Sequence, residues 1–363
     1  MPYGSISVDK IENSDGFTLG GSGAAMKNRI INGNMAIAQR TTSAVTTDEA
    51  FPVDRFQLQV VNANLSLIQS SDAPAGFNYS IAATVTSTTS SAVTDRSRLF
   101  QNIEGFNVAD LAWGTANAKT ITVSFWARST VTGTYSGNIT NSAGNRSYIF
   151  TYALTANTWT YVTATIPGDT SGTWLKTNGN GLCLNPITFN LGSNYQGTAG
   201  SWIAGDARGT SGSTYLATNN SGAVFNLTGV QLEVGSQATS FDYRPYGTEL
   251  QLCQRYYTKM NLVNYTGFVG WADSTTDFIA MVTFPVTFRT EPTFTSTGSG
   301  GVLIIRKGGA PATINTTQLY QTSAGTQVCR IYASVSSGLT TGAGGAIAVQ
   351  DGQTGFMAWS AEL

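Results

Sequence analysis

The chain contains no histidine. That removes the one side chain that titrates near neutral pH without perturbation, and the commonest metal ligand. Serine–histidine triads, cysteine–histidine pairs and histidine zinc sites are thereby excluded. Charge is also scarce: Asp, Glu, Lys and Arg make up 11% of 363 residues, against about 25% in an ordinary soluble domain. The 19 basic and 20 acidic residues leave a net charge of −1 and form no basic run, which argues against a nucleic-acid partner. No apolar stretch approaches the ~20 residues of a membrane-spanning helix, so no membrane insertion is expected. The opening MPYGSISVDK lacks the charged and apolar regions of a secretory signal, so synthesis in a cytoplasm is expected. The three cysteines, Cys183, Cys253 and Cys329, are few, odd in number and far apart. They read as small buried hydrophobes and not as a disulfide framework. No DxDxDG-like loop marks a local calcium site, and no cofactor is expected.

What is present is β-forming. Hydrophobic residues reach 41%, enough for real cores, and the length suggests two or three domains. With so little charge, the exposed faces must be Ser, Thr, Asn, Gln and Gly. A neutral polar surface suits a protein packed in several copies, because like charges meeting across a symmetry axis repel. Thr-rich strands fit as well, since β-branched side chains pack on a pleated surface.

Residues 1–27 hold few apolar side chains before a GGSGAA break. Ordering them costs about 1–2 kcal/mol per residue. Five buried apolar side chains return only ~10 kcal/mol. The segment is expected to be completed by other chains, as an attachment and trimerisation stem that extends to residue 49. Residues 50–247 read as one all-β sandwich, with strand candidates at 56–61, 79–85, 120–127, 148–154, 158–166, 182–191, 222–225 and 229–234. A weak helical patch is expected at Val108–Ala112. Gly-rich connections at Pro167–Gly181 and Gly192–Thr214 exceed ordinary hairpin loops, and loops of that length are often functional. A short helix is expected over residues 248–258, capped by Thr248 with Gln251 as its capping-box partner. A second β domain follows to residue 363, with strands at 267–271, 278–284, 293–297, 301–306, 327–335, 346–350 and 355–363.

Aromatic residues are the strongest candidates for chemistry. Trp174, Tyr195, Trp202 and Tyr215 lie in or beside the long connections, with Asn194, Asp206 and Arg208 near them. An aromatic face can stack on the apolar face of a sugar while polar neighbours bond its hydroxyls. The same rings could instead pin the loops or fill a subunit contact. Trp126 and Trp159 lie on strands and are expected in the core. Trp271 and Trp359 are expected in the core of the second domain, with a sugar platform as the alternative. A glycan-cleaving site would need two carboxylates roughly 5–10 Å apart. Asp169, Asp206, Glu233, Asp242, Asp273, Asp277 and Asp351 are available, but no motif pairs them. Glu233 and Asp242 are expected as structural partners of Arg244. An enzyme is not expected.

Two stretches carry a family resemblance. NRIINGNMAIAQR at Asn28–Arg40 and FNLTGVQLEVGSQATSFDYRPYGTELQLCQRYY at Phe225–Tyr257 resemble segments of tailed-bacteriophage structural proteins, chiefly tail fibres and host-adhesion proteins. The first stretch resembles the connector that often precedes the globular part of such fibres. The sandwich strands and the closing VQLEVG, over roughly residues 75–247, resemble the jelly roll of carbohydrate-binding modules. The resemblance implies a virion protein: a homotrimer attached to other tail or baseplate proteins through its N-terminus and binding host-surface polysaccharide. A trimer would also close exposed strand edges. A capsid decoration or head fibre shares the same composition. A depolymerising tailspike is a third reading, although no repeat period suggests its usual β-helix.

Overall fold

The structure, a computed structural model, describes residues 26–263, 266–297, 303–306 and 312–363. The expected N-terminal attachment segment therefore lies, up to residue 25, outside the described residues. The chain falls into two compact units that divide between Pro245 and Tyr246.

The first unit holds β1 (Gln57–Gln59), β2 (Asn64–Ser70), β3 (Ser80–Ser87), β4 (Arg96–Glu104), β5 (Ile121–Ser129) and β6 (Gly133–Thr140). It continues with β7 (Ser147–Leu154), β8 (Thr160–Ile166), β9 (Asn180–Leu191), β10 (Trp202–Ile203), a one-turn helix α1 (Leu216–Asn219) and β11 (Val224–Val234). One sheet has six strands in the order β1-β4-β9-β6-β7-β10, and the other has five, β2-β3-β11-β5-β8. All the pairings are antiparallel. The chain passes back and forth between the sheets, which makes this a jelly-roll sandwich. Period-two alternation decides what goes inside. Val123 and Phe125 on β5 meet Phe150 and Tyr152 on β7, with Phe125 and Tyr152 rings 5.2 Å apart, edge to face.

Four of these strands, β2, β4, β6 and the two-residue β10, were not expected from the sequence. β4 carries two arginines and a glutamine, and β6 carries two glycines, all poor strand signals. Pairing on both sides with β9 and their neighbours overrides that preference. Conversely, the two candidates at 222–225 and 229–234 are one strand, β11, bulged between Thr228 and Gln231. The helical patch is realised as two 3₁₀ turns, Gly105–Asn107 and Ala109–Leu111.

Residues Asn28–Arg40 differ from a connector. Ile30, Met35 and Ile37 are fully buried, and Ile30 and Met35 belong to the sandwich core. The Asn28 side chain donates to the Val230 carbonyl (3.0 Å) and accepts from the Leu232 amide (3.1 Å). The Val230 amide donates to the Gly33 carbonyl at 2.9 Å. A Cβ on Gly33 would collide with the Val230 carbonyl, so only glycine lets the two backbones approach. Arg244 donates to the carbonyls of Asn28 and Ile30. The two stretches that stand out in the sequence are thus hydrogen-bonded to each other.

The second unit opens with helix α2 (Tyr246–Gln254) and β12 (Tyr257–Val263). The helix starts two residues before Thr248, so Thr248 is not its cap, and it stops before Tyr257. Tyr257 instead begins a strand paired to the C-terminal strand, opposite Ser360. Then follow β13 (Gly267–Ala272), β14 (Asp277–Thr283), β15 (Thr293–Ser296), β16 (Leu303–Arg306), β17 (Ala312–Ala324), β18 (Val328–Val335), β19 (Gly344–Val349) and β20 (Thr354–Ser360). β12, β20 and β15 form a small sheet, and the rest close a barrel in the order β13-β14-β18-β17-β16-β19. Trp359 is fully buried against Phe284, as expected. Trp271 departs from that expectation: it is 43% exposed, on the outside of the barrel wall. The three cysteines are buried and none forms a disulfide.

Candidate functional site

The outer face of the five-stranded sheet carries an open aromatic groove. Because Ile121, Val123, Phe125 and Ala127 of β5 face the core, Thr122, Ser124, Trp126 and Arg128 face outward. On β8, Val162 and Ile166 point inward, so Tyr161 points outward. The β5–β8 register places Trp126 directly beside Tyr161, with ring centroids 5.3 Å apart. Tyr161 is 42% exposed and Trp126 half-buried. Trp126 and Trp159 are therefore not core residues, contrary to the sequence expectation. Trp159 lies next to Arg128, whose guanidinium sits 5.2 Å from its ring and is paired with Asp72.

The other wall comes from the closing segment after β11. Phe77 packs edge to face on Phe241 (5.1 Å) and tilted against Tyr243 (5.6 Å). Gly229 sits at the β11 bulge with φ +63°, and a Cβ there would lie 2.7 Å from the Phe77 ring and 3.2 Å from Trp126. Glycine at the bulge leaves room for both rings. The closing segment is fastened by two buried side chains of the same outer face. Glu233 accepts from the Thr239 amide (2.8 Å) and hydroxyl (2.6 Å). Gln231 accepts from the Asp242 amide at 2.8 Å. Asp242 itself lies 3.8 Å from Arg244. Of the two carboxylates expected beside Arg244, the structure shows this pairing for Asp242, while Glu233 serves the loop. The groove measures about 370 Å³ and is also lined by the buried Ser124, the half-buried Thr239 and the exposed Ser240. None of its lining residues is a carboxylate. The arrangement can stack flat apolar surface and bond hydroxyls, and its lining offers no acid–base pair.

The six residues singled out from the sequence fall in three other places. Trp174 and Trp202 join Trp113 in a knot of edge-to-face rings with centroids 4.6–5.5 Å apart. Trp174 is buried, and its indole donates to Asp169 and to the Ser171 carbonyl, both at 3.2 Å. The Trp202 indole donates to the Pro167 carbonyl at 2.9 Å. Arg146 grips Asp169 with two bonds (2.8 and 2.6 Å) beside the knot. This cluster pins the long connections to the sandwich.

Asp206, Arg208 and Tyr195 gather over the six-stranded sheet. Arg208 forks onto Asp206 (2.8 and 2.7 Å) and donates to Gln59 at 2.7 Å. Arg96 and Arg208 lie over the Tyr195 ring at 5.1 and 5.4 Å. Tyr215 stands apart and donates to the Thr210 carbonyl at 2.6 Å. Burial pushes its phenol pKa up to about 12. It borders a polar recess of about 440 Å³ with Ser91, Gln196 and Ser211. Among the described residues, no group of three or more Cys, Asp or Glu side chains is placed to hold a metal.

Sequence alternation contained the signal for the groove. ITVSFWARS already puts Trp126 opposite Phe125, and TWTYVTATIP puts Tyr161 opposite Val162. What it lacked was any indication that this outer face stays uncovered.

No family model matches the chain, and no curated protein does. Solved structures show similarity over about half of it. A tailspike protein 4 enzymatically active domain of bacteriophage CBA120 shares 15% identity, covering 58% of this chain and 22% of that one, with a TM-score of 0.32. The CBM22-1–GH10 modules of Clostridium thermocellum xylanase 10B, complexed with xylohexaose, share 13%, covering 56% and 30%, at 0.30. A CBM4 module shares 15%, covering 56% and 98%, at 0.30. The chain thus spans less than a third of the first two of these proteins. The jelly-roll sandwich itself rests on the strand order and the shared core described above.

Proposed function

We propose that this chain is a non-enzymatic glycan-binding subunit of a tailed-phage virion, a tail fibre attached through its N-terminal segment and acting as a homotrimer. The observation that carries the binding reading is the uncovered groove in which Trp126 and Tyr161 lie side by side, rimmed by hydroxyls and faced by Phe77 and Tyr243. Aromatic rings with a polar rim match a pyranose, which has apolar C–H faces and a belt of hydroxyls. The virion reading is supported by the two phage-like stretches and by the low charge of the chain. Three linked copies would raise the avidity of a weak site by about 10²–10⁴.

The full chain, fluorescently labelled, is tested for adsorption to host cells and for competition with infection. The variant carrying Trp126→Ala and Tyr161→Ala is expected to lose both. Equal adsorption by variant and wild type would refute the groove, and no adsorption by either would favour a capsid decoration. Antibody labelling of virions in negative stain locates the protein. Release of reducing ends from host polysaccharide would replace the binding reading with a depolymerase.

A further inference from the structure

A second aromatic surface lies on the outer wall of the barrel in the second unit. Phe278, Ala280 and Val282 of β14 and Ile331 and Ala333 of β18 fill the barrel core, so their sequence neighbours point outward. The strand register sets Trp271 opposite Ile279, Ile279 opposite Tyr332, and Tyr332 opposite Tyr320. These four side chains form one row across β13, β14, β18 and β17, in which Ile279 is buried and Tyr332 half-buried, so the row meets solvent chiefly at its two ends. Trp271 is 43% and Tyr320 46% exposed, and the two tyrosine rings lie 5.2 Å apart. Three strand spacings make the row about 14 Å long, enough for a short oligosaccharide.

The edge of the row is polar and fixed. Asp277, on the same outer face two residues before Ile279, accepts from Ser274 (2.7 Å) and Ser334 (3.0 Å) and bonds the Tyr332 phenol. The Ser274 bond first, with those from Tyr332 and Ser334, holds its carboxyl below the usual carboxylate range. An ionised carboxylate on this rim disfavours burial against another copy of the chain, because desolvating it costs several kcal/mol. A sugar lying on an open wall leaves the carboxylate in water and can donate hydroxyls to it. The exposed indole and phenol rings supply the stacking faces.

We propose that this row is a second saccharide platform, in which the exposed rings of Trp271 and Tyr320 take the apolar face of a short neutral oligosaccharide with Asp277 as hydroxyl acceptor. It does not depend on the groove of the first unit. The test uses the full chain with that groove silenced by Trp126→Ala and Tyr161→Ala. Saturation-transfer NMR is recorded with methyl pyranosides of glucose, galactose, mannose, rhamnose and N-acetylglucosamine and their linear trisaccharides. Transfer to at least one of these is expected. Adding Trp271→Ala and Tyr320→Ala should reduce it at least fivefold with an unchanged melting profile, and Trp271→Phe should retain most of it. No transfer from the groove-silenced protein, or transfer unmoved by truncating the row, overturns the platform. A row truncation that lowers the sedimentation coefficient assigns the wall to contacts between copies and also overturns it. Wild-type transfer abolished by the groove mutations alone would uphold the first groove while rejecting this one.

Discussion

The two outer faces of the sandwich are built from similar strands and covered to different extents. On the six-stranded sheet many outward side chains are small and polar; Ser136, Asn138, Ser147, Asn185 and Thr188 are among them, and these five are buried. The connection from Gly192 to Tyr215 roofs them. Ser147 donates to the Gly205 carbonyl at 2.6 Å, Thr188 to the Arg208 carbonyl at 3.2 Å, and the Gly200 amide to the Ile149 carbonyl at 2.9 Å. On the five-stranded sheet the closing segment covers Gln231 and Glu233, but beside it Tyr161 stays exposed and Trp126 half-exposed. Hydroxyls and amides can satisfy a covering loop's backbone groups, so a polar face can carry a roof. Aromatic faces offer few such partners and remain available to a ligand. Ring count is thus a poor guide to which face stays open to solvent, and roofing is a better one.

Four experiments break or sharpen this contrast, taken from the largest effect to the smallest. Trp174→Ala should cost about 3–5 kcal/mol of stability in chemical denaturation, as for a buried indole, and leave sugar affinity per folded molecule unchanged. Trp126→Ala should do the reverse. Its affinity for host polysaccharide, read by isothermal titration, should fall about tenfold or more, equivalent to about 1.4 kcal/mol, with a smaller change in the denaturation midpoint. Gly229→Ala places a Cβ against Phe77 at a positive-φ bulge. It should destabilise by about 1 kcal/mol and weaken binding severalfold by displacing the groove's wall.

The smallest effect concerns the roof at high pH. The Tyr215 phenol has its folded pKa raised by burial from 10.0 to about 12. Its neutral form therefore favours the folded state fully below pH 10, and that contribution is lost as pH climbs toward 12. Tyr215→Phe should flatten this part of the stability profile, measured as the wild-type-minus-variant difference between pH 9 and pH 12. A difference that grew with pH would contradict a buried, neutral phenol.

Most strands could be read in the sequence because period-two alternation is local: β5, β7, β8 and β9 sit, to within a residue or two at their ends, where Thr120–Ala127, Tyr148–Leu154, Thr158–Ile166 and Leu182–Leu191 placed them. Strands whose outward face is polar, such as β4, gave a weaker signal. The helix after Pro245 was expected, but not its start at Tyr246 or its early end, because pairing of Tyr257 with Ser360 is a long-range event. Of the site, the residue type was legible and the location was not. Trp174 and Trp202 looked loop-borne and free, but they close on Trp113, more than fifty residues upstream, and pin loops. Trp126 and Trp271 looked like core residues because they lie on strands, although strand parity puts each on an outer face.

By itself the sequence determined the chemistry that this protein lacks and the class of its fold. The absence of histidine, the scarcity of charge and the short alternating segments are properties of composition and of neighbours along the chain. Only the tertiary structure decided that Asn28–Arg40 docks on the closing strand, which sheet face is roofed, and which rings meet solvent. Those outcomes depend on strand register and on long loops folding back across a sheet, and both join residues too distant for any local pattern to link.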